Sequence, residues 1–181
     1  TVRRWTQCVP VRLRQLDTRG NDALNIVVLD RQALFSNDIP SDCFDRYGSV
    51  RSYDRTPPEL AAERIGSAEI VFTNKTPVSR KVLDQCPNVR YIGLFSTGYN
   101  IIDLHACKER EIIVSNVPSY STGAVAQQVF AFLLHFCNRV AEYNEAVQQG
   151  AWVSSSDFCF YRGQLTELAG KTLGIVGYGS I

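Results

Sequence analysis

The 181-residue sequence contains no methionine, so the chain as it stands shows no visible start. No two of its six cysteines (Cys8, Cys43, Cys86, Cys107, Cys137, Cys159) form a CxxC pair, which excludes a metal ribbon and a thioredoxin-like redox motif. A long apolar run is also missing. The longest, Val129 to Cys137, is far too short to span a bilayer, and the basic N-terminus lacks the apolar segment of a secretory signal. Nor is there a basic stripe. Five of the 19 basic residues fall before Asn25 against two of the 18 acidic ones, leaving the rest slightly acidic and disfavouring nucleic acid as a partner. His105 and His135 lie in helical patterns with no acidic partner at a useful spacing. No Cys/His or paired-carboxylate set is arranged for metal binding, acid–base or nucleophilic work. No metal is expected.

What is present suits a globular chain with a real core, at 45% hydrophobic and 20% charged residues. Scattered cysteines of this kind read as small apolar residues of a reduced, cytoplasmic protein. Their even number leaves pairing in an oxidising compartment as the alternative. Residues 1–24 show neither helical nor strand period and read as a disordered leader or upstream translation, with a transit peptide as the rival.

From Asn25 the pattern changes. Apolar runs at 25–30, 49–54, 69–74, 89–96 and 112–118 alternate with helical patterns around "SDCFDRYG", "PPELAAERIGSA", "SRKVLDQCP" and "DLHACKERE". Thr56-Pro57-Pro58-Glu59 has the form of a capped helix start. Single helices between strands imply βαβ units with right-handed crossovers, hence an α/β fold with a flavodoxin-like parallel sheet over residues 25–121. A helix from Thr122 to Gly150 follows, with Val125, Val129, Phe132, Leu133, Phe136, Val140 and Val147 at three- and four-residue steps. Gly150 is placed to cap it. After an aperiodic excursion, "KTLGIVG" reads as a sixth strand, so 122–181 is expected to be a linker helix, an arm and the first strand of a second, incomplete domain.

Ligands of open parallel sheets sit beyond the carboxyl ends of the strands. The loops there are Asp30-Arg31, Asn74-Lys75-Thr76, Ser96 to Asn100, and Asn116 to Thr122. If the third and fourth strands are neighbours, Lys75 comes close to Thr97-Gly98-Tyr99-Asn100, whose backbone N–H groups suit a carboxylate or phosphate. The plain alternative is a turn feeding a helix capped by Asn100 or Asp103. Gly177 and Gly179 are the first two glycines of G-x-G-x-x-G after an apolar strand, half of a dinucleotide fingerprint.

The blocks "YIGLFSTGYNIIDLHACKEREIIVSNVPSYSTGAVAQQVFAFLLH" and "ELAGKTLGIVGYGSI" resemble the D-isomer-specific 2-hydroxyacid dehydrogenases, most of all the glycerate dehydrogenase (hydroxypyruvate reductase) group. That resemblance implies a flavodoxin-like substrate domain followed by a Rossmann domain that binds NAD or NADP. It implies that Lys75 and the backbone of Thr97, Gly98, Tyr99 and Asn100 face the substrate carboxylate, and that Thr97 also approaches the cofactor. Gly177, Gly179, Ser180 and Ile181 would form the pyrophosphate turn, and the long helix with the excursion a homodimer arm. The family's catalytic Arg, Glu and His fall beyond Ile181. The expectation is therefore a truncated oxidoreductase of small 2-keto acids such as hydroxypyruvate or glyoxylate, inactive as this chain alone. A non-enzymatic flavodoxin-like dimerisation or binding module is the alternative, and phosphoglycerate, lactate or formate are alternative substrates.

Overall fold

The computed structural model describes residues 24–34, 42–177 and 179. The expected leader lies outside the described residues except for Leu24. The chain divides into two compact units, one running to Pro118 and one starting at Ser119.

In the first unit the five apolar runs pair as β1 (Leu24–Val28), β2 (Gly48–Ser52), β3 (Ile70–Thr73), β4 (Tyr91–Leu94) and β5 (Ile113–Ser115). All pairings are parallel and the order is β2-β1-β3-β4-β5. This is the flavodoxin-like order the alternation implied, with its switch point between β1 and β3. Helices α1 (Arg31–Leu34), α2 (Ala61–Ile65), α3 (Arg80–Gln85) and α4 (Leu104–Glu109) connect the strands. Every residue of β3 and β4 is buried, as expected of central parallel strands covered on both faces. The two-residue period then sorts the side chains. Val27, Leu29, Val71, Ile92 and Leu94 join an aliphatic layer with Ile65, Leu83 and Ala106. Ile26, Val28, Ile70, Phe72, Tyr91 and Phe95 join an aromatic layer with Phe44.

Two local expectations are corrected here. The helix around "SDCFDRYG" is only a three-residue 3-10 turn, Asp45–Tyr47, among the described residues. Thr56 caps nothing. Its buried hydroxyl donates to Leu29 O at 2.8 Å and accepts from Arg64 Nη1 at 2.9 Å, so it ties the β2 loop to β1. The choice between Asn100 and Asp103 falls to Asp103, whose Oδ1 accepts from Ala106 N at 2.9 Å.

In the second unit the expected single helix is two, α5 (Thr122–Asn138) and α6 (Val140–Gln148). The break is Arg139, in the left-handed region at φ 51°, ψ 41°. No glycine or proline stands there, so the apolar period reads straight through; the Arg139 guanidinium instead forks onto Glu142 in the next turn. At the far end Gly150 does cap, at φ 84°, with Gly150 N–H bonded to Val147 O and Ala151 N–H to Ala146 O. Replacing Arg139 with glycine removes a left-handed penalty of about 1 kcal/mol and an exposed ion pair worth less, so Arg139→Gly is expected to stabilise slightly. Urea unfolding of the two proteins side by side checks the sign.

The sixth strand is not formed: residues 171–177 pair with no strand among the described residues. A strand exists only through its partner's hydrogen bonds, and here Ile175 and Val176 point their apolar side chains into solvent.

Candidate functional site

The carboxyl ends of β1 and β3 frame a cleft of about 430 Å³ whose lining includes Asp30, Gln32, Arg55, Thr56, Asn74, Lys75 and Thr76. It lies at the switch point of the sheet, where an open α/β fold leaves a crevice.

At its base Asp30 stands two residues past the end of β1 and is 5% exposed. Its Oδ2 accepts from the Thr73 hydroxyl at 2.8 Å and from the backbone N–H groups of Asn74, Lys75 and Thr76 at 2.8, 2.9 and 3.1 Å. Oδ1 accepts from the Thr76 hydroxyl at 2.7 Å. Burial pushes this carboxyl's pKa up, but the N–H groups of Asn74, Lys75 and Thr76 and the Thr76 hydroxyl outweigh it and hold it below the ordinary value. The anion the turn 74–76 cradles is thus an internal one. Those N–H groups are occupied, and the polar group this turn leaves exposed is the Lys75 side chain. Among the described residues no carboxylate pairs with that ammonium.

The neighbouring loop after β4 is different. Among the described residues no acceptor takes the backbone N–H groups of Thr97, Gly98, Tyr99 and Asn100. Gly98, Tyr99 and Asn100 are exposed and Thr97 is half-buried. The loop is braced from behind. Thr97 Oγ1 donates to Val117 O at 3.0 Å, Asn116 Nδ2 donates to Thr97 O at 2.7 Å, and Ser96 Oγ donates to Gly98 O at 2.8 Å. The β3 and β4 loops are also joined. Val78 pairs with Ile102, Val78 N–H donates to Ile101 O at 3.0 Å and Asp103 N–H to Val78 O at 3.1 Å. Side by side, these loops present a cation and a row of open N–H donors, a combination suited to a small carboxylate.

In the second unit Gly177 has φ 108°, and among the described residues no atom lies within 4 Å of a Cβ built on Gly177 or Gly179. A φ in this region favours glycine at position 177. Tyr178, Ser180 and Ile181 lie outside the described residues.

Sequence reading missed Asp30 as more than a loop residue. The available signal was an acidic residue just past a mostly apolar strand, with Thr73-Asn74-Lys75-Thr76 ending another. It also missed a partner for His105, whose Nδ1 lies 2.9 Å from Glu109 Oε1 one helical turn on. That pair is on the exposed face of α4, where Glu109 also takes Arg80, so it is surface pairing. Among the described residues no group of three or more His, Cys, Asp or Glu side chains is placed to hold a metal ion.

Comparison with known proteins bears on the family and the fold. The family model described as D-isomer specific 2-hydroxyacid dehydrogenase, catalytic domain, matches residues 26–168. The chain is 44% identical over 161 residues to the hydroxypyruvate reductase of Blautia hydrogenotrophica, covering 87% of this chain and 50% of that protein. It is 32% identical over 157 residues to the glycerate dehydrogenase of Methylorubrum extorquens, covering 86% and 49%. Among solved structures, an acyclic imino acid reductase in complex with NADPH and D-Arg superposes with a TM-score of 0.61 at 27% identity, covering 78% of this chain and 44% of that one. The chain spans about half the length of the curated relatives it matches.

Proposed function

The chain belongs to the D-isomer specific 2-hydroxyacid dehydrogenase family, and from that premise we propose that it forms the substrate-binding half of an NAD- or NADP-dependent reductase of small 2-keto acids such as hydroxypyruvate and glyoxylate. One observation carries the reading. In the loop after β4, the strand next to the one that leads into Lys75, the N–H groups of Thr97, Gly98, Tyr99 and Asn100 stand without acceptors among the described residues, at the carboxyl end of the sheet. A 2-keto acid offers a carboxylate to this row, and fixing that carboxylate orients the adjacent carbonyl.

The residues of this chain bind and orient. Asp30 is an engaged acceptor, His105 is paired on the surface, and neither is placed to move a proton at the site. That task falls to the rest of the enzyme. Gly177 and Gly179 are the residues of this chain that would begin the turn holding the dinucleotide, and the positive φ of Gly177 supports that role. When bound, the dinucleotide supplies the hydride.

The same reading includes a homodimer in a reducing, cytoplasmic compartment. Phe130, Phe132 and Phe136 of α5 are more than half exposed, and no residue of that helix is buried, which supports a partner surface on it. The described cysteines are all unpaired, with Cys86 and Cys107 packed as small apolar groups. No helix among the described residues is long and apolar enough to cross a membrane.

The test is Lys75→Ala in the full-length enzyme. Losing a charged contact to the substrate carboxylate, worth about 1.5–3 kcal/mol, is expected to raise KM for hydroxypyruvate roughly 10- to 100-fold while kcat changes little. Steady-state kinetics decide; an unchanged KM removes Lys75 from the site.

A further inference from the structure

We propose that Asp30 is a positioning residue for substrate binding: its buried carboxylate locks the turn 73–76 and so sets where Lys75 stands, an inference that rests on Lys75 meeting the substrate. Among the described residues, the hydrogen-bond donors to this carboxylate all come from one short stretch of chain. They are the Thr73 hydroxyl, the N–H groups of Asn74, Lys75 and Thr76, and the Thr76 hydroxyl, at 2.7–3.1 Å.

A charge that merely filled space at the end of β1 would be replaced without loss by an apolar side chain of similar volume. This one instead satisfies consecutive N–H groups that no strand or helix claims. Three bonds on successive residues leave the backbone of the turn little freedom. Lys75 sits in the middle of that row. Its amide is held at 2.9 Å while its side chain runs exposed along the cleft. The bracing continues outward. Thr76 Oγ1 lies 3.0 Å from Thr56 O, and Thr56 Oγ1 donates to Leu29 O, so the loops after β1, β2 and β3 form one connected unit around the carboxylate. A lysine has a long, mobile stem, so its Cα must be fixed if the ammonium is to be found in one place.

The experiment is a kinetic cycle in the full-length enzyme with Asp30→Asn, Lys75→Ala and the double variant, each first checked for folding by thermal unfolding. Asp30→Asn is expected to raise KM for hydroxypyruvate about tenfold with kcat changed less than about twofold, because misplacement of a binding group weakens the bound complex. In the double variant KM is expected to equal that of Lys75→Ala alone, since a loose turn no longer matters once the ammonium is gone. If the two effects multiply, or if Asp30→Asn lowers only thermal stability and leaves KM unchanged, the proposal is overturned and Asp30 is structural. If Lys75→Ala itself leaves KM unchanged, the substrate reading of Lys75 fails and takes this inference with it; that arm separates the two failures. Should Asp30→Asn not fold, Thr76→Val removes one hydroxyl at near-constant volume. Its KM rise is expected to vanish in the Lys75→Ala background, and persistence there would equally overturn the proposal.

Discussion

Gly93→Ala is expected to destabilise the first unit by about 3 kcal/mol, at the upper end of the overpacking range. Gly93 sits on β4 directly opposite Phe72 of β3. A Cβ built there falls 2.5 Å from Phe72 Cδ1 and Cε1 and 3.2 Å from Tyr91 Cε1. Side chains can retreat from such a clash only where there is space, and Phe72 has none. Its ring is fully buried, stacks on Phe44 at 4.5 Å and on Phe95 at 5.5 Å, and meets Tyr91 edge-on at 6.1 Å. One methyl therefore displaces an aromatic cluster, and urea unfolding should show it as a lower midpoint with the slope unchanged. Gly98→Ala is the control. Its nearest neighbour would be the exposed Asn100 side chain at 3.4 Å, so little change is expected. If the two variants unfold alike, the close packing of β3 against β4 is not what holds this layer.

Asp30→Ala is expected to be larger still, about 3–5 kcal/mol at neutral pH, because it strands several donors around a buried site that alanine does not fill. Its signature is the dependence on pH. Burial raises the carboxyl's pKa, but the N–H groups of Asn74, Lys75 and Thr76 and the Thr76 hydroxyl more than reverse it, so the folded value lies below the unfolded one, which is about 3.9. The stabilisation is therefore fully present above about pH 4 and is lost as pH falls through the folded value. The gap between unfolding curves of the parent and Asp30→Ala, taken from pH 7 down to pH 3, should narrow in acid. A gap that stays constant over that range would mean the ionised carboxylate contributes nothing beyond its volume.

Much of the architecture is readable from short-range pattern. Ile26 to Leu29, Ile70 to Phe72 and Tyr91 to Leu94 are apolar on both alternating faces, which only central strands of a covered parallel sheet require. The break at Arg139 was not readable. A left-handed arginine has no composition signal, and what holds it is a contact made three residues later with Glu142. The strand expected at 171–177 fails for a related reason: its apolar pattern states a preference, and a strand needs a neighbour to complete it.

For the candidate site the division is similar. Residue types at strand ends singled out Lys75 and the Thr97–Asn100 loop, because a flexible glycine turn and a cation after apolar strands are local features. The sequence by itself thus determined the βα alternation, the double-faced strands, the glycines at 177 and 179 and the loops at the carboxyl ends of the strands. The tertiary structure alone decided which donors are spent and which are open. The N–H groups of 74–76 close on Asp30, some forty residues away in sequence, whereas those of 97–100 meet no acceptor among the described residues. Hydrogen-bond satisfaction is a property of groups brought together across the sheet, and no periodicity along the chain encodes it.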